Sequence, residues 1–520
     1  MSTRSLLKST GIISLATAIS RVLGFVRDIL IASFFGTGGP IQAFIVAFKI
    51  PNLLRHFVAE GATSSAFVPV LSEYLVTKDK DEYRHLANVL LNILVIVLVV
   101  IVLIGTAAAP FIVRVIAPGF VTEPYQLKLA TDLTRVMFPY IFLVGLAAYA
   151  MGILNSLKHF STPAFAPALL NLSIIITMLV FWRNMNVAIL ACAVLVGGIL
   201  QFLIQLPVLY RKGIKLKMPY MLYHPAAKKV VKLLFPRLLG ATVYQLNVLI
   251  DTILASLYWI VGAGGIAALY YANRLIQLPT AIFGISLATA ALPTLSGHFA
   301  KKDMNKFKET LNFSLKSLFL IMIPATIGLI VLGNHIVRIL FQRGEFTPYS
   351  TMITSQPLMF YSIGLFSYAG IKILVFCFYS MQDTMTPVKT ASVSLAVNII
   401  FNLILMWPLK LAGLALATSI AGACNFFLLL YLLRRKIGAF GEKHMALFLG
   451  KVIIAALVMG SALYAVKDYI GALLLQKGIL FNVLYLFSSV AIGALIYFGA
   501  LYLFRVQELG KFVAWILRKR

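Results

Sequence analysis

The chain has 520 residues, of which 61% are hydrophobic and only 12% charged, with a mean hydropathy of +0.95. That balance excludes a soluble globular domain and points to a polytopic membrane protein. A formal charge of +29 would suggest a nucleic-acid binder in a soluble chain. Here Lys and Arg form short clusters between apolar runs, with no continuous basic face, so no nucleic acid is expected and positive-inside topology accounts for the charge.

Fourteen apolar segments follow in chain order, at approximately 11–35, 42–73, 86–108, 134–155, 164–182, 187–210, 233–257, 266–296, 310–333, 354–378, 388–407, 411–433, 449–466 and 480–504, most near the length a bilayer requires. The first begins like a signal peptide but runs through Arg21 to Phe35 without a cleavage site, and so is kept as a span. The second and eighth are long and contain Pro51 and Pro279, where kinks or breaks are expected. Cys192, Cys377 and Cys424 lie in apolar stretches without metal-ligand spacing and read as small core residues. Loops carrying Lys78, Lys80 and Arg84, then Lys158, Arg211 to Lys232, Lys301 to Lys308, Lys389 and Arg434 to Lys443, alternate with poorer ones. The poorer set offers only Arg114, Lys128, Arg183, Arg338, Arg343, Lys410, Lys467 and Lys477. Both termini are therefore expected on the cytoplasmic side of the cytoplasmic (inner) membrane.

The chain also repeats. FVPVLSEY (67–74) matches ALPTLSGHF (291–299), DILIAS (28–33) matches DTILAS (251–256), and SLKHFSTP (156–163) matches SMQDTMTP (380–387), all at offsets of 223 or 224 residues. Six spans separate the copies, which makes the repeat parallel. The expected fold is all-α, with about fourteen transmembrane helices in two parallel-repeat six-helix lobes around a central cationic cavity, plus two C-terminal helices. The expected boundaries are an N-lobe at 1–210, a basic cytoplasmic linker at 211–232 with Pro219 and Pro225, a C-lobe at 233–440 and an added pair at 441–520.

Charges within the spans carry the functional signal, because a charge at the bilayer centre costs roughly 2.5–3.5 kcal/mol or more. Ser20, Arg21, Gly24, Arg27 and Asp28 fall within one helical sector of about 120°. Lys49, Asn52, His56 and Glu60 make a second stripe, with Arg55 beside it. Snorkelling to the headgroups is the competing reading; it suits Arg55 and Glu60 and is weakest for Arg21 and Arg27, which are flanked by apolar residues. In the eighth segment Tyr270, Asn273, Arg274 and Gln277 share a face, unless Arg274 is a structural partner of Asp251. Cations outnumber acids, which calls for an anionic, phosphate-bearing ligand, for which Arg is the best bidentate partner. Asp251, Asn398, Asn402 and Thr418 could hold a small monovalent cation such as Na+, although hydrogen bonding between helices is the more ordinary role for the last three. No GxSxG, GxxxxGK[ST] or HExxH motif is present and the seven histidines are dispersed, so no enzyme is expected and no cofactor is required.

SRVLGFVRD (20–28), FKIPNLLRHFVAEGATSSAFVPVLSEY (48–74), YYANRLIQLP (270–279) and ALPTLS (291–296) closely resemble the MurJ (MviN) family. These are lipid II flippases of the multidrug/oligosaccharidyl-lipid/polysaccharide exporter superfamily, and the resemblance runs the length of the chain. It implies transport of the undecaprenyl-pyrophosphate-linked peptidoglycan precursor to the outer leaflet by alternating access, without ATP, coupled to membrane potential or an ion gradient. It places the family's cavity arginines at Arg21, Arg27, Arg55 and Arg274, and motif positions at Ser20, Asp28, Asn52 and Glu60. The last two helices would form a groove for the lipid tail. Expected partners are lipid II, the membrane and cell-wall synthesis machinery, with the protein a monomer. Gln42 and Asn273 stand where the family often has acids, which makes this cavity more positive. The competing functions are an exporter of another polysaccharide-lipid or of cationic drugs, a non-transporting cell-wall scaffold, and a membrane glycosyltransferase. A drug exporter calls for an acidic cavity, a scaffold needs no intramembrane charge, and a glycosyltransferase calls for acidic clusters.

Overall fold

A computed structural model describes residues 3–55, 67–214, 222–474, 478–506, 508 and 510. Among these the secondary structure is helical throughout, with no strand. The chain divides into two compact units, Met1–Trp259 and Ile260–Arg520.

The first unit contains α1 (Thr3–Phe35), α2 (Gly39–Arg55), α3 (Val68–Thr77), α4 (Lys80–Ala107) and α5 (Ala109–Ile116). It continues with α6 (Pro124–Met137), α7 (Tyr140–Ser156), α8 (Ser161–Val180), α9 (Val187–Leu203), α10 (Leu206–Arg211) and α11 (Pro225–Ala255). Its helix α1 packs along α8, α8 along α9, and α2 against α6 and α7. Helix α11, which the repeat would put at the head of the C-lobe, packs on α3, α4 and α5 of this unit. The approach is close: a Cβ on Gly119 would fall 1.7 Å from the Ser256 carbonyl oxygen, and the Gly119 N–H donates to Ser256 Oγ at 3.1 Å.

A single turn, α12 (Tyr258–Val261), spans the change of unit. The second unit holds α13 (Gly265–Pro279), α14 (Ser286–Ala300), α15 (Met304–Phe341), α16 (Pro348–Ile363), α17 (Leu365–Ser380), α18 (Met385–Ile437), α19 (Glu442–Leu474) and α20 (Ile479–Leu503). The break expected at Pro279 is a π-helical turn, Thr280–Ile285, between α13 and α14. Helices α16 and α17 form one span bent by 45°. The 53-residue α18 is two antiparallel limbs that reverse at Lys410, whose φ of 52° and ψ of −128° are non-helical. Ser394 Oγ donates to the Ala421 carbonyl at 2.8 Å across the two limbs. The two segments expected at 388–407 and 411–433 are those limbs.

Among the described residues, nine helices are long and apolar enough to cross a membrane, and the bent α16–α17 pair makes ten.

The repeat is visible in the details of each unit. Asp79 caps α4 by accepting from the Glu82 N–H, and Asp303 caps α15 by accepting from the Lys306 N–H, the N-cap role this short carboxylate fills best. Lys158 and Gln382 both take positive φ, 58° and 61°. The next residue reaches the same threonine position in each copy: His159 Nε2 is hydrogen-bonded to Thr162 Oγ1 at 2.9 Å, and Thr386 Oγ1 donates to Asp383 Oδ2 at 2.8 Å.

Candidate cationic transport site

In α1, Arg27 and Asp28 are adjacent in sequence, and both are buried, at 7% and 1% exposure. Arg27 Nε and Nη2 both donate to the single oxygen Asp28 Oδ1, at 3.0 and 2.7 Å. Its remaining arm, Nη1, donates to Asn171 Oδ1 of α8 at 2.9 Å, and Asn171 Nδ2 donates back to the Ser20 carbonyl at 2.9 Å. One amide therefore fixes the guanidinium and ties α8 to the turn of α1 that carries Ser20. Arg21 is exposed, on the same helix, and Ser20 is half-buried.

In α2, Lys49, Asn52 and Arg55 are half-buried, and Arg55 Nε donates to Asn52 Oδ1 at 3.1 Å. Asp251 of α11 acts electrostatically on Lys49. The buried Tyr140, at the start of α7, lies within electrostatic reach of both Arg27 and Arg55. Its ring packs 5.8 Å from that of Phe48. The first unit thus brings Arg27, Arg55 and Tyr140 into one electrostatic neighbourhood. Glu60 and His56, the rest of the expected α2 stripe, lie outside the described residues.

The expected face of α13 is assembled within the second unit. Arg274 Nη1 donates to Gln277 Oε1 at 3.2 Å, Gln277 Nε2 donates to Asn273 Oδ1 at 2.5 Å, and the guanidinium carbon sits 5.5 Å from the Tyr270 ring centroid. That geometry suits a cation–π contact. In α18, the fully buried Asn402 donates to Asn398 Oδ1 at 2.9 Å, and Asn398 donates to Thr418 Oγ1 at 3.2 Å across the two limbs. These bonds stitch the two limbs of the hairpin together. Asp251 belongs to the first unit. Among the described residues no group of three or more His, Cys, Asp or Glu could hold a metal.

Sequence reasoning missed Asn171 and Tyr140. Each sits in a mostly apolar helix without a charged neighbour in it, and Asn171 meets its partner 144 positions away.

The lipid II flippase MurJ family matches residues 31–485. Among curated relatives, the probable lipid II flippase MurJ of Buchnera aphidicola subsp. Acyrthosiphon pisum is 36% identical over 465 residues, covering 89% of this chain and 90% of that one. The lipid II flippase MurJ of Burkholderia cenocepacia is 37% identical over 455 residues, covering 86% and 87%. A solved structure of lipid II flippase MurJ in an inward closed conformation superposes with a TM-score of 0.80 at 29% identity, covering 95% of this chain and 98% of that one. An inward-facing MATE-family multidrug transporter of the MOP superfamily superposes at 0.68 with 16% identity, covering 81% and 96%, which is likeness of fold alone.

Proposed function

The chain belongs to the lipid II flippase MurJ family, and on that premise we propose how it acts. It carries lipid II, the undecaprenyl-pyrophosphate-linked precursor, from the cytoplasmic to the outer leaflet of the cytoplasmic membrane by alternating access.

The observation that carries this reading is the Arg27–Asp28–Asn171 cluster. Burying an ion pair costs several kcal/mol per ion before the mutual attraction is counted, and a well-packed apolar pair would stabilise a core as well. The pair is therefore kept for what Arg27 can do. Two of its N–H groups share one oxygen of Asp28. A pyrophosphate offers that same edge two oxygens, the parallel bidentate geometry in which Arg excels. Asn171 holds the other arm, so the guanidinium need not be re-oriented when it exchanges Asp28 for substrate. Ser20, Arg21, Lys49, Asn52, Arg55, Glu60 and Arg274 complete the proposed substrate set.

Both termini are cytoplasmic in this reading, the protein works as a monomer, and α19 and α20 receive the isoprenoid tail. Support for an ordered tail element comes from the second unit, where Tyr497 Oη donates to the Leu320 carbonyl at 2.8 Å and Lys316 Nζ pairs with Glu508 at 2.6 Å. The sequence has no nucleotide-binding loop, so the cycle draws on substrate supply, membrane potential or an ion. The empty cationic site is the form most sensitive to voltage, at about 2.3 kcal/mol per charge per 100 mV for full crossing. An inside-negative potential returns it to the cytoplasmic face. Sodium enters this reading through Asn398, Asn402 and Thr418.

The test is a leaflet assay in cells whose only flippase is this chain. Wild type should move lipid II outward; Arg27→Ala and Arg274→Ala should reach the membrane yet leave lipid II inside. Outward movement at the wild-type rate in both variants would refute the assignment.

A further inference from the structure

A second charged constellation lies at the end of the first unit remote from Lys80 and Arg84. Helix α4 has 28 residues, about 42 Å of rise, and carries the chain to α5, the 3-10 turn Pro118–Thr122 and α6. There a cavity of about 630 Å³ is lined by Arg114 of α5 and by Lys128, Thr131, Asp132 and Arg135 of α6, with Pro110, Val121 and Leu127 as apolar wall. Lys128, Thr131, Asp132 and Arg135 stand at i, i+3, i+4 and i+7, one face of α6. Arg135 Nη1 lies 3.6 Å from Asp132 Oδ1, which offsets one charge and leaves Arg114 and Lys128 in excess.

The surroundings point to lipid. Helix α5 buries Val113 and Ile116 but exposes Phe111, Arg114 and Val115 together, and Val121, Tyr125 and Val136 are exposed nearby. Apolar side chains flanking an exposed Arg are the pattern of a helix at the headgroup level. The depth agrees. Helix α7 has 17 residues, about 26 Å, so α6, which leads into it, ends near one face of a hydrocarbon core of about 30 Å.

The repeat supplies an internal control. At the offset of 224, helix α16 starts at Pro348 as α6 starts at Pro124, and α15 ends within one residue of the position equivalent to the end of α5. Yet Lys128, Asp132 and Arg135 correspond to Met352, Gln356 and Met359, and only Arg114 keeps a cationic counterpart, Arg338. The fold therefore builds this corner without the two α6 cations, and packing does not explain them.

We propose that this pocket binds the phosphate of a lipid in the outer leaflet. The proposal uses the membrane orientation given above and is independent of the headgroup site around Arg27. Two sources carry that chemistry, a resident anionic phospholipid and the transported lipid after its release.

The test titrates the full chain in detergent with phosphatidylglycerol, diacylglycerol and undecaprenyl pyrophosphate, reading bound lipid by native mass spectrometry. Replacing Arg114, Lys128 and Arg135 together by Gln should weaken binding of a phosphate lipid at least tenfold and leave diacylglycerol unchanged. Arg114→Lys with Arg135→Lys should hold affinity within threefold. Loss confined to phosphatidylglycerol assigns the pocket to resident phospholipid; loss confined to the pyrophosphate assigns it to released cargo. Unchanged binding of both overturns the proposal. The single variant Lys128→Gln, at an exposed position, keeps the question answerable if the triple variant misfolds: a severalfold loss supports the pocket and none overturns it. Arg274→Ala, run alongside, reports on the transport site separately and should leave the pocket's binding unchanged.

Discussion

Replacing Asn171 by Leu keeps the volume and removes both of its hydrogen bonds. The bond from Arg27 is charge-assisted, worth about 1.5–3 kcal/mol, and the one to the Ser20 carbonyl about 0.5–1.5. Ser20 sits inside α1, where its carbonyl has the helix ladder, so its loss belongs at the low end. Measured hydrogen bonds between membrane helices also average lower, near 0.6 kcal/mol. Together these set the expected loss at about 2 kcal/mol, measurable by denaturant unfolding in detergent. Flipping should fall further than stability does, because the guanidinium loses the acceptor that aims it. Asn171→Asp separates the two effects. It keeps an acceptor for Arg27 Nη1, forfeits the donor to the Ser20 carbonyl at a cost of about 0.5–1.5 kcal/mol, and adds a carboxylate that competes with pyrophosphate, so flipping should drop at least tenfold in the leaflet assay. Wild-type stability and wild-type flipping in Asn171→Leu would refute the clamp.

The same packing sets the outcome of other substitutions. Arg27→Met with Asp28→Leu should unfold at a denaturant concentration near wild type while flipping no lipid II, whereas Asp28→Ala alone should cost about 3–5 kcal/mol by leaving a buried cation without its carboxylate. Gly119→Ala would drive a Cβ into the Ser256 carbonyl, 1.7 Å away, and should cost several kcal/mol in the same unfolding assay through the forced retreat of α11. At the α7–α8 turn, burial and then the neighbouring Lys212 hold His159 below the usual imidazole range. The unfolded chain therefore takes up the proton first, and stability should fall as pH drops below about 6.5. In the second copy, burial alone would raise Asp383, but Lys436 and the Thr386 N–H and hydroxyl outweigh it and hold the carboxyl at about 2; its contribution is intact above about 3.9 and is lost as pH falls toward 2. His159→Asp should reproduce that ion pair with Lys212 and abolish the loss of unfolding stability near pH 6.

The parts of this architecture that depend on neighbours in sequence were legible. Hydropathy marked the apolar helices, and the offset of 223 or 224 residues marked the two copies, although the matching Asp79 and Asp303 caps emerge only in the structure. Pro279 foretold a break, though not that it would be a π turn. Arg27 and Asp28 were legible as a pair because intramembrane charge is rare. Asn171 was not, since a lone amide in an apolar helix has no periodic partner, and only the packing of α8 on α1 brings it to the guanidinium. The attachment of α11 to the first unit was hidden for a like reason. The repeat assigns it by ancestry, while the close approach of Gly119 to Ser256 is a tertiary fact with no local signature.

The π turn at Thr280–Ile285 has a mechanical consequence. A π turn accommodates an extra residue by bonding i to i+5, so α14 is indexed one residue out of step with α13. Absorbing that residue into an α turn would slide one half about 1.5 Å along the axis and rotate it by about 100° against the other, exchanging hydrogen bonds rather than losing them. Gly284 marks where the slack is stored, because a Cβ there would sit 2.8 Å from Ala369 Cβ of α17. A larger residue would jam the joint. The helix that carries Arg274 can thus be indexed like a ratchet, in steps of one residue, while the segment beyond it stays in place.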